Sequence, residues 1–174
     1  MVLDNNHPTQ GRTMLKDLEP NSPTDFDFII GDWQVRHRRL KQILNNCQQW
    51  YEFDGQSSTV KTLGGFGNIE DTHLHLPDTS IRAKAIRSFN HSTGEWSIWW
   101  LDGRNPHHLD KPVIGRFENG IGHFYTDDTY NDMPIKVRFI WNSTNPNAPT
   151  WEQAFSSDDG DTWEINWQME FTPA

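Results

Sequence analysis

Residues 163–171 alternate without a break. Trp163, Ile165, Trp167, Met169 and Phe171 fall on one side of an extended chain, and Glu164, Asn166, Gln168 and Glu170 fall on the other. A period of two describes a β-strand with one dry and one wet face, whereas the apolar stripe of a helix recurs every three to four residues. The same count groups Ile135, Val137, Phe139 and Trp141, then Trp151, Gln153 and Phe155, then Trp96, Ile98 and Trp100. The dry faces are made of rings. Nine Trp and ten Phe in a chain only 34% hydrophobic set aside Leu-rich helix packing and fit strands that bury one face each. Trp33, Trp96, Trp100, Trp141, Trp151, Trp163 and Trp167 are expected inside, and alternation sends Trp99 outside.

Similar runs recur along the chain at 33–41, 48–53, 56–62, 67–75, 80–89, 96–101, 113–117, 121–127, 135–141, 150–156 and 162–171, about ten or eleven strands at the spacing of an all-β domain. Asn119-Gly120, Thr93-Gly94 and Asp159-Gly160 are tight-turn pairs between sequential strands, which makes neighbours antiparallel. A meander this long exposes two edges unless it closes, so the expected architecture is an antiparallel up-and-down β-barrel. A short N-terminal helix is expected over 24–30, capped by Thr24 or Asp25 and ended by Gly31. Residues 1–23 are polar with three prolines and read as a flexible tail, leaving 24–174 as a single domain.

The net charge of −9 repels nucleic acid and anionic lipid alike. No stretch is apolar enough to span a bilayer, and no secretory apolar run opens the chain, so the expected setting is cytoplasmic. The single Cys47 can form no internal disulfide and reads as a structural thiol in a reducing compartment.

The candidate site residues are the polar groups at inward phases. His37 shares a face with Trp33 and Val35, and His123 shares one with Ile121 and Tyr125. A buried imidazole needs partners, and Arg39, Tyr51, Arg87, Tyr125, Asp127 and Gln153 fall at phases able to supply them. Trp100 and Trp167 add aromatic walls. A second registration stays open, in which Arg138, Glu152 and Asn166 point inward instead of forming an outer charge ladder with Lys136 and Glu164. His73-x-His75 places two imidazoles on one strand face with no third ligand signalled, and Glu70, Asp71, Asp127 and Asp128 lack the EF-hand order, so no metal is expected. His107-His108 lies in a polar loop, 102–111, near a barrel rim. Gly64-Gly65-Phe66-Gly67 continues into a strand rather than a helix, so it is a bend and not a phosphate loop.

Two resemblances bear on function. Ser156-Ser157-Asp158-Asp159-Gly160-Asp161-Thr162-Trp163 resembles the Asp-box of sialidase propellers, where the box is a folded hairpin turn; with one copy it reads as a turn tied by Asp158. Gly31-Asp32-Trp33 resembles the G-x-W that opens calycin barrels, which include lipocalins, fatty-acid-binding proteins and nitrobindins. Together with PVIGRFENGIGHFYTDDTY, MPIKVRFIW, WEQAFSSDDGDTWEINWQMEF and FNHSTGEWSIWW, it makes residues 26–171 similar to an uncharacterised, lipocalin-like bacterial domain family. The resemblance implies a closed barrel with a ligand-sized interior and Trp33 plugging its floor. The haem-binding pattern of nitrobindins has no counterpart, and no cofactor is expected.

The expected function is binding of a small apolar or aromatic molecule by His37, Arg39, Tyr51, Arg87, Trp100, His123, Tyr125, Gln153 and Trp167. The alternative is a cofactor-independent isomerase, cyclase or decarboxylase with His37 or His123 as acid–base and Arg39 or Arg87 as anion stabiliser. A barrel packed solid with rings would serve neither. An uncovered aromatic surface would favour a homodimer.

Overall fold

The computed structural model describes residues 18–174. Ten strands form the wall: β1 (Gly31–Leu40), β2 (Trp50–Thr62), β3 (Gly67–Leu76), β4 (Thr79–Asn90), β5 (Glu95–Asp102), β6 (Val113–Glu118), β7 (Ile121–Tyr130), β8 (Met133–Asn142), β9 (Thr150–Ser156) and β10 (Glu164–Pro173). Each pairs antiparallel with its sequence neighbour, and β1 also pairs with β10, so the barrel closes and no edge is left open. Asn119 and Gly120 take positive φ, 51° and 81°, between β6 and β7, as a type I′ turn requires. No helix among the described residues is long and apolar enough to cross a membrane.

Rings close one end. Phe26 meets Phe117 and Trp96 edge to face at 4.9 and 5.0 Å, Trp33 donates its indole N–H to the Ile29 carbonyl at 3.0 Å, and Trp96 donates to the Asp25 carboxylate at 3.0 Å. These contacts correct the expected N-terminal helix. Only a 3₁₀ turn forms, Asp27–Ile29, with no side-chain cap. Asp25 is engaged by Trp96 rather than by a helix N-terminus, and both Phe26 and Ile29 must face the floor, which one compact turn accomplishes. Most of the expected tail, 1–17, lies outside the described residues. Nearby Glu19 donates its backbone N–H to the Gly64 carbonyl at 2.7 Å, so the chain straps across the β2–β3 connection.

Three further corrections concern strands. The segments expected at 48–53 and 56–62 are one strand, β2, because Asp54-Gly55 is not a turn. Gly55 is there for space: a Cβ would sit 2.6 Å from His37 Nε2 and 2.8 Å from the His73 carbonyl. In β10 the register slips between Ile165 and Trp167, opposite Ala154 and Gln153, so a bulge at Asn166 reverses the phase of everything before it. Trp163 therefore lies outside the barrel, with the Arg138 guanidinium 4.6 Å from its ring. In β7 the inward residues are Gly122 and Phe124. The apolar residues Ile121, Phe124 and Tyr125 occupy both phases, and a Cβ on Gly122 would lie 2.7–2.8 Å from Phe124 and Phe117 ring atoms, so its hydrogen makes room for both rings at the floor. The open question of registration resolves with Arg138 and Glu152 on the outer face, 3.7 Å apart, and Asn166 buried at the bulge.

Candidate functional site

Above the ring-packed floor the barrel encloses a cavity of about 470 Å³. Its walls carry Trp100, Trp141, Trp151, Trp167, Phe139 and Phe155, and its polar groups are His37, Arg39, Glu70, Thr72, Arg87 and Gln153, with Asp102, Arg104, Asn105 and Asp110 toward the mouth. The mouth exists because β5 runs on to Asp102 while only Trp96–Ile98 of it pairs with β6. The freed chain returns through the Leu101–Leu109 bridge, held by the Asp110 N–H on the Trp100 carbonyl at 3.0 Å.

His37, 1% exposed, stacks on Phe53 at 4.6 Å with its ring nearly parallel. Its Nδ1 accepts the Trp167 indole N–H at 3.2 Å. An acceptor at Nδ1 places the proton of a neutral imidazole on Nε2. Burial, aided by the Arg39 and His75 charges, lowers the His37 pKa to about 3, so the neutral tautomer prevails at neutral pH. Nε2 is buried without a partner among the described residues.

Two cations in the cavity are neutralised and one is not. Arg87, 2% exposed, meets Glu70 at 2.5 Å and Asn68 at 2.8 Å. Arg104 pairs with Asp102 at 2.6 Å, which holds the Asp102 carboxyl below its usual range. Arg39 lies flat on Trp167, its guanidinium carbon 4.2 Å from the ring, with no carboxylate of the described residues within ion-pair distance. Burial pushes its pKa down.

Of the candidates read from the sequence, His37, Arg39, Arg87, Trp100, Gln153 and Trp167 line this one cavity. Tyr51 faces inward but packs on Phe53 at 5.7 Å, outside the lining. His123 and Tyr125 require correction: both point outward, exposed, because Phe124 takes the interior phase of β7. Asp127 is outward too and pairs with Lys136 at 2.9 Å. His73 and His75 sit together on the outer wall with rings 4.1 Å apart, and no cluster of three metal-ligating side chains occurs among the described residues. Asp158 ties its turn as expected, accepting from the Thr162 N–H at 2.9 Å and bonded to Ser156 Oγ at 2.7 Å.

No protein-family model and no curated protein sequence matches the chain. Among solved structures, it is similar to the S-type phycobiliprotein lyase CPES from Guillardia theta, with a TM-score of 0.57 and 8% identity over 86% of this chain and 90% of that one. The likeness is of fold. It supports the closed antiparallel β-barrel and leaves the family open.

The sequence reading missed Asn68, Glu70 and Thr72 as interior groups. On β3 the inward phase opens with three polar residues, Asn68, Glu70 and Thr72, before Leu74, while Ile69 is on the outward phase, so hydrophobic alternation does not mark the first half of the strand. A signal was present in Arg87. An arginine at an interior phase needs a buried carboxylate, and Glu70 lies one strand away, opposite Ala85. In the loop 102–111, Asp102, Arg104, Asn105 and Asp110 rather than the two histidines are the residues at the mouth, while His107 and His108 are exposed.

Proposed function

We propose that the barrel binds a small, largely aromatic or apolar molecule in the cavity beneath Arg39 and Asp102. The observation that carries this reading is the cavity of about 470 Å³ with tryptophan walls. Its size falls in the range of small-molecule sites, and rings with a few convergent polar groups are the usual make-up of such sites. A barrel filled solid with side chains would have no such space. An acidic chain with a single thiol suits a cytoplasmic setting.

The enzymatic alternative has less to build on. His123 is on the outer wall. His37 has Nδ1 occupied and its proton on Nε2, so it is arranged to donate a hydrogen bond rather than to take a proton. The fold by itself does not decide between carrier and catalyst, since one fold hosts many activities.

Native mass spectrometry of protein purified from its source, with quenching of tryptophan fluorescence by naphthalene derivatives, tests the reading. Ala85 lines the cavity and is 4% exposed. Ala85→Phe is expected to fill the space and abolish quenching while the far-ultraviolet spectrum is unchanged. Equal quenching in wild type and variant would place binding elsewhere and reject the proposal.

A further inference from the structure

Three hydrogen-bond donors of residues that line the cavity, His37 Nε2, Trp141 Nε1 and Arg87 Nε, are buried without an acceptor among the described residues, and all three residues are at most 2% exposed. All three are N–H groups under the tautomer set by Trp167. Arg39 adds a guanidinium fork at the mouth, stacked on Trp167 and free of any described carboxylate. Leaving such groups buried and unmatched is costly.

We infer that the ligand is a planar aromatic monocarboxylate, its carboxylate received by Arg39 at the mouth and its rings lying among Trp167, Trp100 and Trp151. The inference rests on the proposed binding function and adds the ligand's charge. Ion pairing selects the class: Arg87 is paired with Glu70 and Arg104 with Asp102, and Asp110 at the mouth lies within ion-pair distance of His108 alone, so Arg39 is the lining cation left to receive a carboxylate. A phosphate monoester, close to dianionic at neutral pH, would lack its second cation. The guanidinium fork matches a carboxylate in two parallel hydrogen bonds, and its stack on Trp167 fixes its plane before the ligand arrives.

The test compares 2-naphthoic acid with 2-naphthamide, of nearly the same shape but uncharged, by isothermal titration at pH 7.5. The acid is expected to bind about tenfold or more tightly than the amide, as a charge-assisted pair in a sheltered site implies. Arg39→Met, which keeps an apolar contact with Trp167, is expected to remove that preference, the acid losing more affinity than the amide. Arg39→Gln provides the same comparison if the methionine variant does not fold. Equal affinity for acid and amide, or a preference surviving in the Arg39 variants, would overturn the carboxylate assignment and leave the binding function standing. Binding of neither compound would reject both.

Discussion

The indole N–H of Trp167 on β10 points at His37 Nδ1 on β1, 3.2 Å away, across the seam that closes the barrel. This bond fixes the imidazole tautomer, and the Arg39 stack on the same indole ties the mouth of the cavity to its wall. Closure of the fold and preparation of the site thus use the same side chain.

Burial of His37 makes stability depend on pH in a definite direction. The unfolded imidazole takes a proton near pH 6.5, while the folded one refuses it until about pH 3. Between these values the unfolded state holds the extra proton, so stability is complete above pH 6.5 and falls as the pH drops, at up to about 1.4 kcal/mol per unit. Urea titrations between pH 7 and 5, where carboxylates stay ionised, are expected to show a shallower fall in His37→Gln than in wild type. Identical slopes would mean that the imidazole is protonated in the folded barrel.

Glu70 and Arg87 are buried together, at 5% and 2% exposure. Glu70→Gln leaves the guanidinium without its counter-charge and is expected to cost about 3–5 kcal/mol in chemical denaturation. Replacing both, Glu70→Leu with Arg87→Met, should recover most of the loss, because the cost lies in the orphaned charge rather than in a missing attraction. A double variant as unstable as the single one would contradict this account.

Gly55 is expected to tolerate no side chain. The Cβ of Gly55→Ala would lie 2.6 Å from His37 Nε2 and 2.8 Å from the backbone carbonyl of His73, which cannot swing away. Overpacking of this kind costs about 1–3 kcal/mol. The ring of His37 must also shift, so the amide hydrogen exchange of Trp167 and its neighbours should accelerate. An alanine variant as stable as wild type would show slack in the β1–β2 wall.

Trp33→Phe removes the N–H that satisfies the Ile29 carbonyl and leaves space beneath Phe171, whose ring centre is 6.3 Å away. Thermal melts should register a loss of about 1–3 kcal/mol from the unsatisfied carbonyl, with a further cavity cost. The opposite end of the barrel should be indifferent, so ligand affinity in folded protein is expected to stay the same.

The alternation of Trp, Ile and Phe with polar residues in 135–141, 150–156 and the second half of β10 determined the strands, their inward faces and, with the Asn-Gly turn, an antiparallel meander. Local chemistry suffices there because one face is apolar and the other polar, and a one-residue slip would expose every ring. Where both phases are apolar, as at Ile121, Phe124 and Tyr125, only the tertiary structure decided: the floor admits Phe124 beside Phe117, and His123 and Tyr125 are turned out. The bulge at Asn166 likewise moved Trp163 outside, since a bulge depends on the partner strand and has no period of its own. In the first half of β3 polar residues take the inward phase, and Glu70 there answers Arg87 from the next strand. Periodicity is a property of one segment, whereas charge pairing, closure and free space are properties of segments brought together, and the cavity with its unpaired Arg39 belongs to the second kind.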